Sequence, residues 1–143
     1  MRYVLDTCVV VSALRSRSGT SNRVVRLALI GGIPAVCHYK LLPEYRDVLF
    51  RMVRRGELVF SQAQGERFLA ALVAASEELE VRYLWRPNLP DKADNFVYEA
   101  AFAASPATIV THNLVDFRKL EIAWAAVFVK TPQQVLTEVL RHA

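Results

Sequence analysis

Five short strand-like runs, separated by segments of helical periodicity, constrain this 143-residue chain more than any other feature. The first starts almost at once: Arg2, Tyr3, Val4, Leu5 and Asp6 read as a strand that ends in a carboxylate. Tyr3, Val4 and Leu5 have no polar break, the pattern of a strand covered on both faces. Further strands are expected at Ile33–Cys37, Glu80–Tyr83, Thr108–Thr111 and Ala125–Lys130. Strands alternating with helices imply a parallel sheet with right-handed crossovers. No repeat, low-complexity tract or linker interrupts the pattern, so one α/β domain over residues 1–143 is expected.

The helices carry their own punctuation. A short one runs over Thr7–Leu14, with Thr7 as N-cap, and another over Asn22–Ile30, ended by Gly31 and Gly32. A longer helix spans Tyr39–Arg55, with Pro43 in its first turn, where a missing N–H costs little. Leu41, Tyr45, Val48, Leu49, Met52 and Val53 form its apolar face, and Gly56 closes it. The next covers Ser61–Ser76, opened by a Ser61–Gln64 capping box, with Phe68, Leu69, Leu72 and Val73 turned inward. Lys92–Ala104 is apolar nearly all round and therefore buried. Thr131, Pro132 and Gln134 open the last helix, with Val135, Leu136, Val139 and Leu140 as its inner face.

Composition narrows the classes. Hydrophobic residues make up 53% and the mean hydropathy is +0.20, which predicts several fully buried segments and leaves room for an oligomeric face. The longest apolar runs, Phe68–Ala75 and Phe96–Ala104, are too short to span a bilayer. An acid arrives before any hydrophobic region develops at the start, so no secretory signal is expected and the chain reads as cytoplasmic. Cys8 and Cys37 match no zinc or redox spacing and read as buried small hydrophobes. The net charge is +4, carried largely by arginine, with Arg15, Arg17 and Arg46 among those in the first third. Arginine suits phosphate because its planar fork makes paired hydrogen bonds.

Against that basic background, four acids share one kind of position. Asp6 ends the first strand, Glu44 lies in the first turn after the second, Asp94 in the first turn of the Lys92 helix, and Asp116 follows the fourth strand. In a parallel sheet, strand carboxyl ends and helix amino ends occupy the same edge, so all four should converge on one rim. Carboxylates brought together raise one another's pKa and destabilise the fold. A hard divalent cation, Mg²⁺ or Mn²⁺, relieves this and can neutralise charge on a phosphodiester. Each acid also has a plainer reading: Glu44 and Asp94 as partners of helix dipoles, Asp6 as a helix cap, Asp116 as a loop acid.

Val4-Leu5-Asp6-Thr7, Leu42-Pro43-Glu44-Tyr45, Asp91-Lys92-Ala93-Asp94-Asn95-Phe96 with Glu99-Ala100-Ala101, and Ile109-Val110-Thr111-His112-Asn113 followed by Asp116-Phe117 resemble, in order and spacing, the motifs of PIN domains. The nearest branch resembles the stand-alone prokaryotic PIN proteins known as toxins of type II toxin–antitoxin systems. The resemblance implies a three-layer α/β/α sandwich and Mg²⁺- or Mn²⁺-dependent cleavage of single-stranded RNA. It also implies homodimers or higher homo-oligomers, and inhibition by a small antitoxin. Asp6, Glu44 and Asp94 correspond to the three core acids and Asp116 to a more variable fourth. Thr111 and Asn113 correspond to the supporting polar pair, and Thr7 stands beside the first acid. The sequence departs from the branch at Cys8, often Asn, and at Asn113, often Asp.

Two other functions compete. A PIN-like module could hold RNA or protein without cleaving it; Cys8 and Asn113 favour that, and the retained Asp6, Glu44 and Asp94 oppose it. A receiver-like phospho-accepting domain would account for Thr111 and Lys130-Thr131-Pro132. It lacks the acidic pair after strand one and a phospho-acceptor Asp ending a middle strand. Trp85 and Trp124 could stack on bases but read more simply as core or interface residues.

Overall fold

The computed structural model describes residues 1–79, 92–118 and 126–141. The core of the sheet is built from β1 (Arg2–Leu5) and β4 (Ala107–Val110). Val4 and Leu5 are buried in β1, and every residue of β4 is buried. The two strands pair in parallel, from Arg2 opposite Ala107 to Leu5 opposite Val110. β5 (Val127–Lys130) extends the sheet beyond β4, also in parallel. On the other side, β2 (Val36–His38) pairs in parallel with β3 (Glu77–Leu79). A parallel bridge between Tyr3 and Ala35 joins the two sets, and the Tyr3 N–H donates to the Pro34 carbonyl at 2.8 Å. The spatial order is therefore β3-β2-β1-β4-β5.

The chain first steps outward from β1 to β2 and β3, then returns past β1 to β4 and β5. Right-handed crossovers in opposite directions put their helices on opposite faces, which yields the three-layer α/β/α sandwich. α1 (Thr7–Arg15) and α2 (Thr20–Leu29) link β1 to β2, and α3 (Leu41–Arg54) and α4 (Gln62–Ala75) link β2 to β3. These four pack on one another. α5 (Lys92–Ala103) precedes β4 and lies against β1, β2 and β4. α6 (Leu114–Arg118) precedes β5, and α7 (Pro132–Arg141) folds back onto α2. No described helix is long and apolar enough to cross a membrane.

Both expected capping boxes form. Ser61 and Gln64 exchange hydrogen bonds at the start of α4, and Thr131 and Gln134 do so at the start of α7. Gly31 and Gly56, with φ of +76° and +71°, end α2 and α3 in the left-handed region where a Cβ is disfavoured.

Three expectations change. Thr7 is the first residue of α1, not its cap; Asp6 takes that position. Leu140 is 63% exposed on α7, because the inner face ends at Val135 and Leu136, with Val139 partly buried. Phe50 joins the core of α3, while Val48 and Val53 sit at its margin. The described residues also hold a strand, β3, at Glu77–Leu79, just ahead of the expected Glu80–Tyr83. Among the described residues it pairs with β2 alone, and Glu77 and Glu78 stay exposed. The expected Glu80–Tyr83 falls outside the described residues, as do Trp85 and Trp124.

Gly65 shows how closely α3 and α4 approach. A Cβ there would lie 2.6 Å from Leu49 Cδ2 and 3.4 Å from Phe50 Cε1, and Leu49 is fully buried. Replacing a mid-helix glycine by alanine ordinarily stabilises by about 1 kcal/mol. Here overpacking, which costs about 1–3 kcal/mol, should dominate. Gly65→Ala is expected to lower the unfolding free energy in urea titration, whereas the propensity gain alone would raise it.

Candidate active site

The strand order reverses between β1 and β4, since β1 connects toward β2 and β4 toward β5. Ligands of open α/β sheets bind in the crevice beyond the carboxyl ends at such a point. Here the first residues past those ends are Asp6 and Thr111. Sheet hydrogen bonding continues through both: Asp6 N–H donates to the Val110 carbonyl at 3.0 Å, and Thr111 N–H to the Lys130 carbonyl at 3.0 Å.

Asp6 is extended, with φ −67° and ψ 150°, and only 6% exposed. Its Oδ1 accepts the Thr7 N–H at 2.8 Å, so the carboxylate caps α1. Its Oδ2 accepts the Thr111 hydroxyl at 2.7 Å and the Cys8 thiol at 3.2 Å. The same Thr111 oxygen accepts the Asn113 N–H at 3.0 Å. One threonine hydroxyl thus fixes both the carboxylate and the start of the loop that follows β4. Burial first, and the charge on Asp6 second, push the Cys8 thiol up to about 11. Cys8 therefore stays protonated and serves as a donor to Asp6.

α3 is tied to the same corner. Tyr45 is fully packed and donates its hydroxyl to the Leu5 carbonyl, the last of β1. Glu44, its neighbour, stands half-buried in the first turn of α3. The signal for this bond is present in the sequence: a tyrosine on a core face needs a partner for its hydroxyl. A second tie that the sequence does not announce joins Ser21 of α2 to His112, Oγ to Nε2 at 2.7 Å.

Asp116 lies exposed in the first turn of α6, where the Asn113 side-chain amide donates to its Oδ2. Asp94 lies in the first turn of α5, and its side chain is outside the described ones, as is Asp91. Among the described residues, no three His, Cys, Asp or Glu side chains group closely enough to hold a metal. The expected convergence of four acids is thus not assembled among them.

The donors that are described fit a hard divalent cation. A carboxylate offers about four acceptor positions, and three on Asp6 are taken by Thr7, Thr111 and Cys8. Thr7 Oγ1, beside it, is buried without a hydrogen-bond partner. These are oxygen ligands of the kind such ions take, and the protonated Cys8 does not compete as a soft ligand.

The three arginines fall differently. Arg17 is exposed in the loop between α1 and α2. Arg46 meets Glu66 of α4 at 3.6 Å. Arg15 meets Glu57 at 3.5 Å, beyond the far end of α3. Glu44 lies ten residues, ~15 Å of rise, before the end of that helix at Arg54, so the structure holds Arg15 toward the helix's far end.

At the end of β2, His38 is fully buried; its Nδ1 accepts the Lys40 N–H at 3.0 Å. Burial, with the Lys40 charge second, lowers its pKa from the usual 6.5. The folded state thus favours neutral His38, and the unfolded chain binds the proton more readily. This contribution is present above the unfolded value and is lost as pH falls below it. Thermal stability is expected to decline from about pH 7 to about pH 5, with a shallower decline in His38→Phe. For the Asp6 corner, Thr111→Val removes the donor to a buried carboxylate and the acceptor of the Asn113 N–H. Its expected cost is about 1–3 kcal/mol by urea titration, with Thr111→Ser close to wild type.

Comparison with protein families adds a match to the PIN domain over residues 2–115. The match takes in Asp6, Glu44, Asp94, Thr111 and Asn113 and stops just short of Asp116. Neither curated proteins nor solved structures yield a match. A parallel sheet whose reversal point carries a locked carboxylate, in a chain matched over most of its length, places this protein in the PIN domain family, whose members are generally nucleases that use divalent metals.

Proposed function

We propose that this chain is a divalent-metal-dependent endoribonuclease that cleaves single-stranded RNA. The observation that carries the reading is the Asp6 carboxylate, buried at the sheet's reversal point and fixed by the Thr111 hydroxyl at 2.7 Å. Asp6, Glu44 and Asp94 would hold the ion, with Asp116 as an outer acid. When bound, Mg²⁺ or Mn²⁺ supplies Lewis acidity and charge neutralisation at the phosphodiester.

The chain's own residues supply position. Thr111 and the Thr7 N–H set the rotation of the Asp6 carboxylate before substrate arrives. The Tyr45–Leu5 bond fixes where α3 begins, and with it Glu44. The cap of α1 directs a helix amino end toward the same crevice, which favours anionic groups. Arg17 and Arg46 are suited to the phosphates of a strand crossing this rim. Resemblance to the stand-alone prokaryotic toxins extends the reading to a toxin inhibited by a small antitoxin. A homodimer could also bury the exposed Ile30, just past α2, and Leu140 on α7.

The test is thermal melting in EDTA, Mg²⁺ and Mn²⁺, followed by cleavage of defined single strands. Divalent ions should raise the melting temperature of the wild type and leave Asp6→Asn unchanged, by linkage. RNA cleavage should require the ion and be abolished in Asp6→Asn and Asp94→Asn. Single-strand binding without cleavage under any divalent ion would favour the non-cleaving module instead.

A further inference from the structure

Tyr39 is an aromatic side chain left open where a strand should meet this site. Among the described residues the exposed aromatics are Tyr39, at 58%, and Phe128, at 38%. Phe128 lies within β5 on the sheet's edge. Tyr39 instead directly follows β2, on the carboxyl edge of the sheet and five positions before Glu44. The bridge between Tyr3 and Ala35 sets the register of β1 against β2. Continued by three residues, it puts His38 level with Asp6 and Tyr39 one step beyond. Neighbouring strands lie about 4.8 Å apart, so the register brings the Tyr39 backbone to the same edge as Asp6.

The ring is also held in place. It stacks on the imidazole of His38, with centroids 4.6 Å apart and planes inclined by 25°. His38 is fully buried and cannot swing away, because its Nδ1 is fixed by the Lys40 N–H at 3.0 Å. The Lys40 ammonium lies 5.9 Å from the Tyr39 centroid, 5.5 Å from that of Phe96 and 3.9 Å from the Glu99 carboxylate. The lysine is thus drawn between two rings and a buried acid. A tyrosine stacked on a buried imidazole and neighboured by the Lys40 ammonium, yet more than half exposed, presents aromatic surface to solvent in a fixed orientation.

We propose that Tyr39 is a stacking platform for an unpaired nucleobase, positioning a single strand so that its backbone crosses the Asp6–Glu44 rim. The proposal rests on the reading of this chain as a nuclease of single-stranded RNA and adds the residue that recognises the unpaired state. Bases already stacked in a duplex cannot occupy the ring. Every base has a π-face, so the contact favours single strands without selecting sequence. Tyr39 is a positioning residue, and the ring rather than the hydroxyl carries the effect.

The experiment is fluorescence-anisotropy titration of labelled oligouridylate, oligoadenylate, an abasic strand and a duplex in EDTA, where cleavage is suppressed. Stacking is worth about 1–3 kcal/mol per base, and 1.4 kcal/mol is tenfold in affinity. Tyr39→Ala should therefore weaken both oligonucleotides roughly 5- to 100-fold and leave the abasic strand and the duplex unchanged. Because no charge is removed, the salt slope of binding should not move. Tyr39→Phe should bind like the wild type. Unchanged affinity in Tyr39→Ala overturns the proposal, including the case in which only self-association changes and the ring belongs to a protein contact. An equal loss in Tyr39→Phe overturns it in favour of a hydroxyl hydrogen bond. Wild-type protein that binds no single strand defeats the nuclease reading itself, a result separable from a failure at Tyr39.

Discussion

A carboxylate that is 6% exposed must find its partners inside the fold, and those of Asp6 define the architecture around it. The Thr7 N–H ties it to α1, and the Thr111 hydroxyl ties it to the end of β4. Thr111 in turn anchors Asn113, which holds the acid at the start of α6. Burying a charge is costly unless it is paired and hydrogen-bonded. Here the cost is offset by groups drawn from a hundred residues away in sequence, which can meet only if β1 and β4 are neighbours in register. The chemistry of one side chain and the topology of the sheet are therefore the same constraint.

Much of this was legible from residue order. The uninterrupted Tyr3-Val4-Leu5 run, the alternation with helices and the capping boxes at Ser61 and Thr131 report local physics, and local physics is written locally. Placement of Asp6 and Thr111 at strand ends follows from the same pattern. Residue order does not specify rotamers, however. That Asp116 would be engaged by Asn113, that Cys8 would donate to Asp6, or that Arg15 would be drawn to Glu57 depends on distances set by the whole packing. The exposed glutamates of β3 carry no strand signal for a related reason. Period and hydrophobicity detect strands with a buried face, and β3 is held mainly by its backbone bonds to β2. Leu140 was misjudged because α7 turns fewer residues inward than its apolar stripe contains.

The basic character of the chain also looks different once the side chains are placed. Arg2, Arg15 and Arg46 each lie within reach of a glutamate, at separations of 3.3 to 3.6 Å and with both partners well exposed. Exposed pairs of this kind contribute at most about 1 kcal/mol. They orient guanidinium groups without committing them, so a polyanion can exchange for the glutamate at small cost. Net charge thus measures the capacity to attract a polyanion, and the ion pairs determine which arginines must first be released.

The acidic character of β3 has a consequence for how this chain can associate. An edge strand offers unpaired backbone groups to any extended segment that passes, the usual route to runaway sheet growth. Among the described residues β3 is the outermost strand on its side; Glu77 and Glu78 leave two carboxylates along it, and Arg2 pairs with Glu77. A second copy approaching strand to strand would bring its own glutamates against these. Two like charges on such a border disfavour edge-to-edge pairing of identical copies.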